Sequence, residues 1–154
     1  MAASRPVLDR ERDLAARLRG VLRAWVEINE SYHEFAGAFF KTAADPRSPM
    51  SPFSRDSAPA KARATGIFRE VAEGSEAKLP AVLRPELPNL LWLYQMGVVL
   101  YWVHDRSPGT EKTYELIDRT VPLIVQLIGM ARLRMMRGVL AEVLDLVRSL
   151  SGAT

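Results

Sequence analysis

The chain has 154 residues, no cysteine and a formal net charge of +3. This length corresponds to about one domain, and the absence of cysteine excludes disulfides, thiolate metal sites and cysteine nucleophiles. The pI of about 9.5 reflects a small excess of arginine and not the clustered basic face that nucleic-acid binding requires. Residues 1–13 contain no apolar run, so we expect neither a signal peptide nor a membrane anchor, and a cytoplasmic location.

The first part of the chain predicts two helices in succession. Apolar residues at three- and four-residue steps indicate one amphipathic helix from Leu8 to about Asn29. A second helix, from Glu30 to about Ala44, carries an unusually aromatic stripe, and His33 lies beside it. The members of the stripe are Tyr32, Phe35, Ala36, Phe39 and Phe40.

A proline-rich segment follows, from Asp45 to Asp56. Its three prolines within seven residues exclude a regular helix. Two interpretations stay open, a rigid surface connection and a gate over a pocket. We then expect Asp56 or Ser57 to cap a third helix that ends near Glu73, before Gly74.

The stretch from Leu87 to Asp105 is apolar on every side. Such a helix is buried all round, in a core or in a bilayer, and its apolar part is shorter than the roughly 20 residues of a membrane span. We therefore predict a central core helix with one face against another subunit. Gln95 lies at its middle and needs a ligand, a backbone group or its own copy across a dimer axis as a partner.

The C-terminal part of the chain predicts two more helices. Ser107-Pro108 indicates the start of a fifth helix that reaches about Arg132, with a kink or bend at Pro122. The sixth helix carries a heptad seam, the geometry of a four-helix bundle or a coiled coil. The seam consists of Leu133, Met136, Leu140, Val143, Val147 and Leu150. The seam either packs inside one subunit or, as its length and C-terminal position favour, forms a two-fold interface together with Trp102.

About six helices and no strand pattern make the predicted fold class all-α. Several strings in this chain also resemble one family. They are Tyr32-His33-Glu34-Phe35 with Phe39-Phe40, Asp45-Pro46-Arg47-Ser48-Pro49 through Pro52-Phe53-Ser54, Leu91-Trp92-Leu93-Tyr94-Gln95-Met96-Gly97, and His104-Asp105-Arg106-Ser107-Pro108. Together they resemble the C-terminal regulatory domain of TetR-family transcriptional regulators of an actinobacterial type.

The resemblance implies a helical bundle that dimerises through four helices and holds an effector pocket. In that family an N-terminal helix-turn-helix reads an operator, and effector binding lowers operator affinity through a coupling between two sites. A helix-turn-helix needs two short helices, whereas residues 1–30 predict one long helix. We therefore expect residues 1–154 to be a single regulatory domain without the DNA-binding domain and without direct DNA contact.

The partners implied by the resemblance are a second copy of the chain and a small hydrophobic or aromatic effector, with no cofactor and no membrane. The alternative is a stand-alone helical dimerisation protein whose core is filled and binds no ligand. Effector sites are mostly apolar with a few polar groups, and Gln95 and His33 supply the polar groups here. The candidate ligand-binding residues are Trp25, Tyr32, His33, Phe39, Phe68, Trp92, Gln95 and Met96.

The adjacent pair His104 and Asp105 suggests acid–base chemistry, but consecutive side chains on a helix diverge by about 100°. No nucleophile motif lies nearby, so we interpret the pair as a helix end and its cap. His33 and His104 lie far apart with no carboxylate at ligand spacing, which argues against a metal site. The sequence therefore predicts a protein that is not an enzyme.

Overall fold

The computed structural model describes residues 4–45 and 47–151. Within these residues the chain is helical and has no strand, which confirms the all-α fold class. The α-helices are α1 (Arg5–Arg10), α2 (Leu14–Asn29), α3 (His33–Ala43), α4 (Ala58–Glu73), α5 (Leu87–His104), α6 (Glu111–Met130) and α7 (Arg137–Ser151). Short 3₁₀ turns lie at Glu30–Tyr32, Pro108–Thr110 and Arg134–Met136.

Four helices form a closed ring around the core. In this ring α2 packs against α4 and α6, and α5 packs against the same two helices from the opposite side. Helix α3 lies outside the ring against α5, and α1 lies against α2. The buried core side chains include Leu18, Phe68, Leu91 and Ile117, one from each helix of the ring. Among the described residues, no helix is both long enough and apolar enough to cross a membrane.

Helix α5 is the central core helix that the apolar stretch predicts, but one stripe of it is open. Leu91, Trp92 and Val98 are buried, whereas Leu100 and Tyr101 remain exposed in the single chain. The periodicity of the sequence does not reveal this stripe, because every side of the helix is apolar.

The predicted single helix from Leu8 to Asn29 is wrong at its beginning, where the structure has two helices. The carboxylate of Asp13 accepts a hydrogen bond from the N–H of Ala16 at 2.9 Å and caps α2. Glu11, just after α1, is extended. The chain therefore turns between α1 and α2 instead of continuing as one helix.

A buried arginine holds this turn in place. The guanidinium of Arg17 donates hydrogen bonds to the backbone oxygens of Leu8 at 2.6 Å and Glu11 at 2.7 Å, beside the end of α1. It also donates to Glu70 at 2.6 Å and Val71 at 2.9 Å, in the last turn of α4. Burial lowers the pKa of Arg17. The partly negative C-terminal ends of two helices thus accept the bonds of one cation.

A second buried charge forms the corner between α5 and α6. One carboxylate oxygen of Asp105 accepts from the N–H and the hydroxyl of Ser107, at 2.9 and 2.6 Å. The other oxygen accepts from the N–H and the hydroxyl of Thr113, at 2.8 and 2.7 Å. Burial alone raises the pKa of Asp105, but these bonds outweigh it and lower the pKa to about 2. Gly109 and Thr110 complete the corner with φ values of 57° and 52°.

The predicted helix starts differ from the observed ones in three places. Ser57 precedes α4 but makes no side-chain cap bond, and Asp105 makes more of the bonds at the start of α6 than Ser107 does. Helix α6 continues over Pro122 as one helix, and the kink or bend expected there stays a prediction. The last helix begins at Arg137 and not at Leu133, which lies before a 3₁₀ turn.

Candidate functional site

A large cleft that is partly open to solvent lies between α2, α3, α5 and the segment 50–53, with a volume of about 820 Å³. We call it the aromatic cleft. Its lining residues are Trp25, Asn29, Tyr32, Phe35, Ala36, Phe39, Phe40, Ala43, Ala44, Met50, Ser51, Pro52, Phe53, Met96, Gly97, Val99, Leu100, Trp102 and Val103. Volumes of roughly 300–1,000 Å³ and mostly apolar walls are typical of small-molecule sites.

The aromatic side chains of this cleft divide into a packed floor and an open rim. Trp25 and Trp102 form the floor, with ring centroids 5.1 Å apart in an edge-to-face arrangement. Tyr32 and Phe35 belong to the rim and are 63% and 68% exposed. Such exposed rings favour burial by an apolar molecule.

A second cleft, of about 380 Å³, lies between α2, α4 and α5. We call it the side cleft. It shares the wall residues Trp25, Met50, Pro52, Met96 and Val99 with the aromatic cleft. Its own lining residues are Ser4, Val21, Ile28, Ser57, Ala60, Lys61, Ala64, Ile67, Phe68, Trp92 and Gln95. One thin wall therefore separates the two clefts.

Two polar groups stand out in the side cleft. Gln95 is only 6% exposed as a residue. Its amide makes no hydrogen bond within residues 4–45 and 47–151, and the amide atoms are not enclosed but open into the side cleft. The Lys61 ammonium lies 4.5 Å from the centre of the Trp92 ring, and none of the described carboxylates forms a salt bridge with it. An unpaired amide and an unpaired cation thus line the same small space.

The segment after α3 covers both clefts through Met50 and Pro52. Its backbone forms successive turns, in which the N–H of Ser51 donates to Ser48 O at 3.0 Å and that of Ser54 donates to Ser51 O at 3.0 Å. The Ser54 hydroxyl also donates to Pro49 O at 2.7 Å. These bonds hold the shape of the segment, and both interpretations of it, a rigid connection and a gate, stay predictions. Pro46, part of the same predicted segment, lies outside the described residues.

The structure brings together most of the predicted ligand-binding residues. Tyr32 and Phe39 line the aromatic cleft, whereas Phe68, Trp92 and Gln95 line the side cleft. Two further predicted residues, Trp25 and Met96, line both clefts.

His33 does not line either cleft as predicted. Its Nε2 lies 2.7 Å from the backbone oxygen of Trp102, so it ties α3 to the end of α5. The clefts are also bordered by Lys61, Phe53 and Gly97, which were not among the predicted ligand-binding residues. A lone lysine on the weakly amphipathic α4 was the available signal for the first of these.

Helices α6 and α7 each carry exposed apolar side chains along one side, which together we call the α6–α7 face. The face consists of Leu123, Leu127 and Met130 on α6 and Val139, Val143, Leu146 and Leu150 on α7. The predicted seam divides between this face and the core: Val143 and Leu150 are exposed, as is Leu133 before α7. Met136, Leu140 and Val147 are half-buried, and Leu144 is the fully buried residue of α7.

Trp102 is not placed as an interface residue. Its side chain is 3% exposed and packs edge-on against Trp25 and against His33, whose ring centre is 4.8 Å away. It has almost no surface left for a partner subunit, so its assignment to the interface is wrong.

The pair His104 and Asp105 forms a cap, as interpreted above. The Nδ1 of His104 lies 2.9 Å from Leu100 O, one turn earlier, and Asp105 binds Ser107 and Thr113.

In the part of the chain that the structure describes, no three His, Cys, Asp or Glu side chains are grouped so as to hold a metal ion.

Comparison with known proteins identifies a family. A family model described as "Tetracyclin repressor-like, C-terminal domain" matches residues 17–150, which include α3 to α6 and most of α2 and α7. Among curated proteins, no significant relative was found.

Proposed function

This chain belongs to the tetracyclin repressor-like C-terminal domain family, and on that premise we propose that it is the ligand-binding and dimerisation domain of a TetR-like transcriptional regulator. It is a ligand-binding module and not an enzyme. In this proposal the regulator represses transcription in the cytoplasm through a separate helix-turn-helix, and it releases the operator when a small hydrophobic ligand binds here. The aromatic cleft, with its volume of about 820 Å³, is the observation that carries this proposal.

The connections of the cleft support a regulatory role. Helix α5 forms one wall of the aromatic cleft, and the bonds of Asp105 join its end firmly to the start of α6. Helix α6 carries part of the exposed apolar face. A ligand that shifts α5 therefore acts on the proposed dimer face through one rigid corner, which is how two distinct sites are coupled. The unfilled cleft also argues against the alternative of a protein with a filled core.

Replacing Gly97 by leucine tests the ligand site. Gly97 lines the aromatic cleft, and a Cβ added there meets no atom within 4 Å. The new side chain is expected to occupy the cleft and weaken binding of the neutral probe N-phenyl-1-naphthylamine about tenfold or more. The fold should remain, and stability should rise by about 0.5–1 kcal/mol, because glycine is unfavourable inside a helix. Probe fluorescence and thermal unfolding measure the two effects.

The matched control is Gly66→Leu. Gly66 lies inside α4, lines neither cleft, and also has open space around an added Cβ. This variant should bind the probe as the wild type does. If Gly97→Leu and Gly66→Leu bind equally, the aromatic cleft is not the ligand site.

Replacing Val143 by glutamate tests the dimer. Val143 is 45% exposed on α7, and a two-fold contact places the carboxylate in an apolar interface in both copies, which is costly without a partner. Sedimentation velocity is expected to show a dimer for the wild type and a monomer for this variant. Leu140 is a poorer choice, because it is half-buried against the core of its own chain.

Ala62→Glu is the control for this experiment. Ala62 is an exposed residue of α4 and belongs to neither α6 nor α7, so this variant should remain a dimer. A stable dimer of Val143→Glu at the same concentration contradicts the proposed interface.

A further inference from the structure

The side cleft contains the charge that the aromatic cleft lacks. Lys61 holds its ammonium over the Trp92 ring at 4.5 Å, at a distance where the aromatic face attracts a cation. Gln95 reaches the same cleft from α5. Gln95 is more than nine-tenths buried as a residue, and its amide has no hydrogen-bond partner among the described residues.

These two groups have complementary requirements. The Gln95 amide opens into the cleft with no protein partner, so it is available to hydrogen-bond a ligand, and the ammonium of the partly exposed Lys61, without a counter-ion among the described residues, attracts an acceptor of negative charge. A carboxylate or another acidic head group satisfies both, because it accepts from the ammonium and from the amide NH₂ at once. A cationic head group meets repulsion at Lys61, and a purely apolar ligand leaves Gln95 unsatisfied.

The wall between the clefts permits a longer molecule. Met50 and Met96 belong to both linings, and methionine side chains are flexible enough to move aside. We infer that the ligand is an amphiphilic anion, whose acidic head binds Lys61 and Gln95 in the side cleft and whose apolar body reaches past the methionines into the aromatic cleft. This inference rests on the proposed function and specifies its ligand class.

Calorimetric titration with decanoate and with decanol tests the inference, at a pH where the acid is ionised. The wild type is expected to bind decanoate about tenfold tighter than decanol, because a hydrogen bond to a charged group contributes more than a neutral one. Lys61→Met keeps a long side chain over Trp92 but removes the charge, so it should bind both compounds equally. Gln95→Leu should weaken both, since it removes a donor that either head group uses.

Lys41→Met is the matched control. Lys41 is an exposed residue of α3 that lines neither cleft, and its loss should leave the preference for the acid unchanged. Equal binding of acid and alcohol by the wild type overturns the inference, as does a preference that persists in Lys61→Met.

The outcomes separate this inference from the proposed function. If N-phenyl-1-naphthylamine binds and Gly97→Leu blocks it, while decanoate shows no preference or no binding, the ligand site stands and the anionic ligand class is wrong. If neither the neutral probe nor decanoate binds, both proposals are wrong.

Discussion

Arg17→Met is expected to lower the free energy of unfolding by about 3–5 kcal/mol, as removal of one partner from a buried polar network does. The methionine is similar in length but donates nothing. Four backbone oxygens, of Leu8, Glu11, Glu70 and Val71, then lose the hydrogen bond from Arg17 in a buried or partly buried place; of these, the Glu70 oxygen keeps the N–H of Gly74 as a donor. The turn between α1 and α2 and the end of α4 are then no longer joined by the hydrogen bonds of one side chain.

Urea unfolding followed by circular dichroism measures this effect. Arg19→Met is the matched control, because Arg19 is a partly exposed residue of α2 that pairs with Asp118 at 3.4 Å on the surface. Its removal should change stability by less than about 1 kcal/mol. Arg17→Lys should fall between the wild type and Arg17→Met, since it keeps the charge without the planar fork. A loss below about 1 kcal/mol for Arg17→Met contradicts the assigned role.

Asp105→Ala is expected to lower the free energy of unfolding by about 2–4 kcal/mol, the cost of a lost cap together with donors left unpaired in a buried corner. The donors are the backbone N–H groups and the hydroxyls of Ser107 and Thr113. The corner also contains Thr110 in the left-handed region, which is unfavourable for a β-branched residue. The bonds of the carboxylate to Ser107 and Thr113, on either side of Thr110, help to hold that conformation.

The pH dependence of this effect has a definite sign. The pKa of Asp105 is about 2 in the folded chain, below its ordinary value of 3.8. A depressed carboxyl pKa contributes stability above the unfolded value, and that contribution is lost as the pH falls from 3.8 towards 2. The stability difference between the wild type and Asp105→Ala should therefore shrink over this range.

Asp145→Ala serves as the control for Asp105. Asp145 lies on the surface of α7, where it pairs loosely with Arg148 at 3.6 Å, and its loss should cost less than about 1 kcal/mol. If the difference between wild type and Asp105→Ala is the same at acidic and neutral pH, the ionised carboxylate is not what stabilises the corner.

Helix existence and fold class were predictable, because apolar periodicity is a local property of the chain. The break before α2 was not predicted, although the three- and four-residue spacing of apolar residues begins only at Leu14, six residues after Leu8. Asp13 was a usable local signal for a cap. The bonds that make the turn stable come from Arg17 to residues about fifty positions away in α4, and no local pattern reveals them.

The residues of the candidate site also divide into those that a local pattern predicts and those that only helix packing brings to the site. The aromatic stripe of α3 is a local pattern, and Tyr32 and Phe39 accordingly lie in the aromatic cleft. Lys61 comes into the site only because α4 packs against α5. Trp102 was assigned to the wrong face, because a helix that is apolar all round gives no indication of which side faces inward.

For the heptad seam, the sequence predicts the helix but not the direction in which each apolar side chain points. Its spacing identifies a helix with two apolar sides but does not say which side packs on its own chain. The burial of Leu144 in the structure shows that the inner side is centred beside the seam, so that Val143 and Leu150 face outward. The interface assignment of these two residues stays a prediction.

The three tryptophans of the chain all border the two clefts. Trp25 lies on the shared wall, Trp92 in the side cleft and Trp102 on the floor of the aromatic cleft. Indole emission depends on the polarity around the ring, so the intrinsic fluorescence of this protein originates at its candidate ligand site. Unlabelled compounds can therefore be screened by their effect on emission, and replacing each tryptophan by phenylalanine in turn shows which cleft a compound occupies.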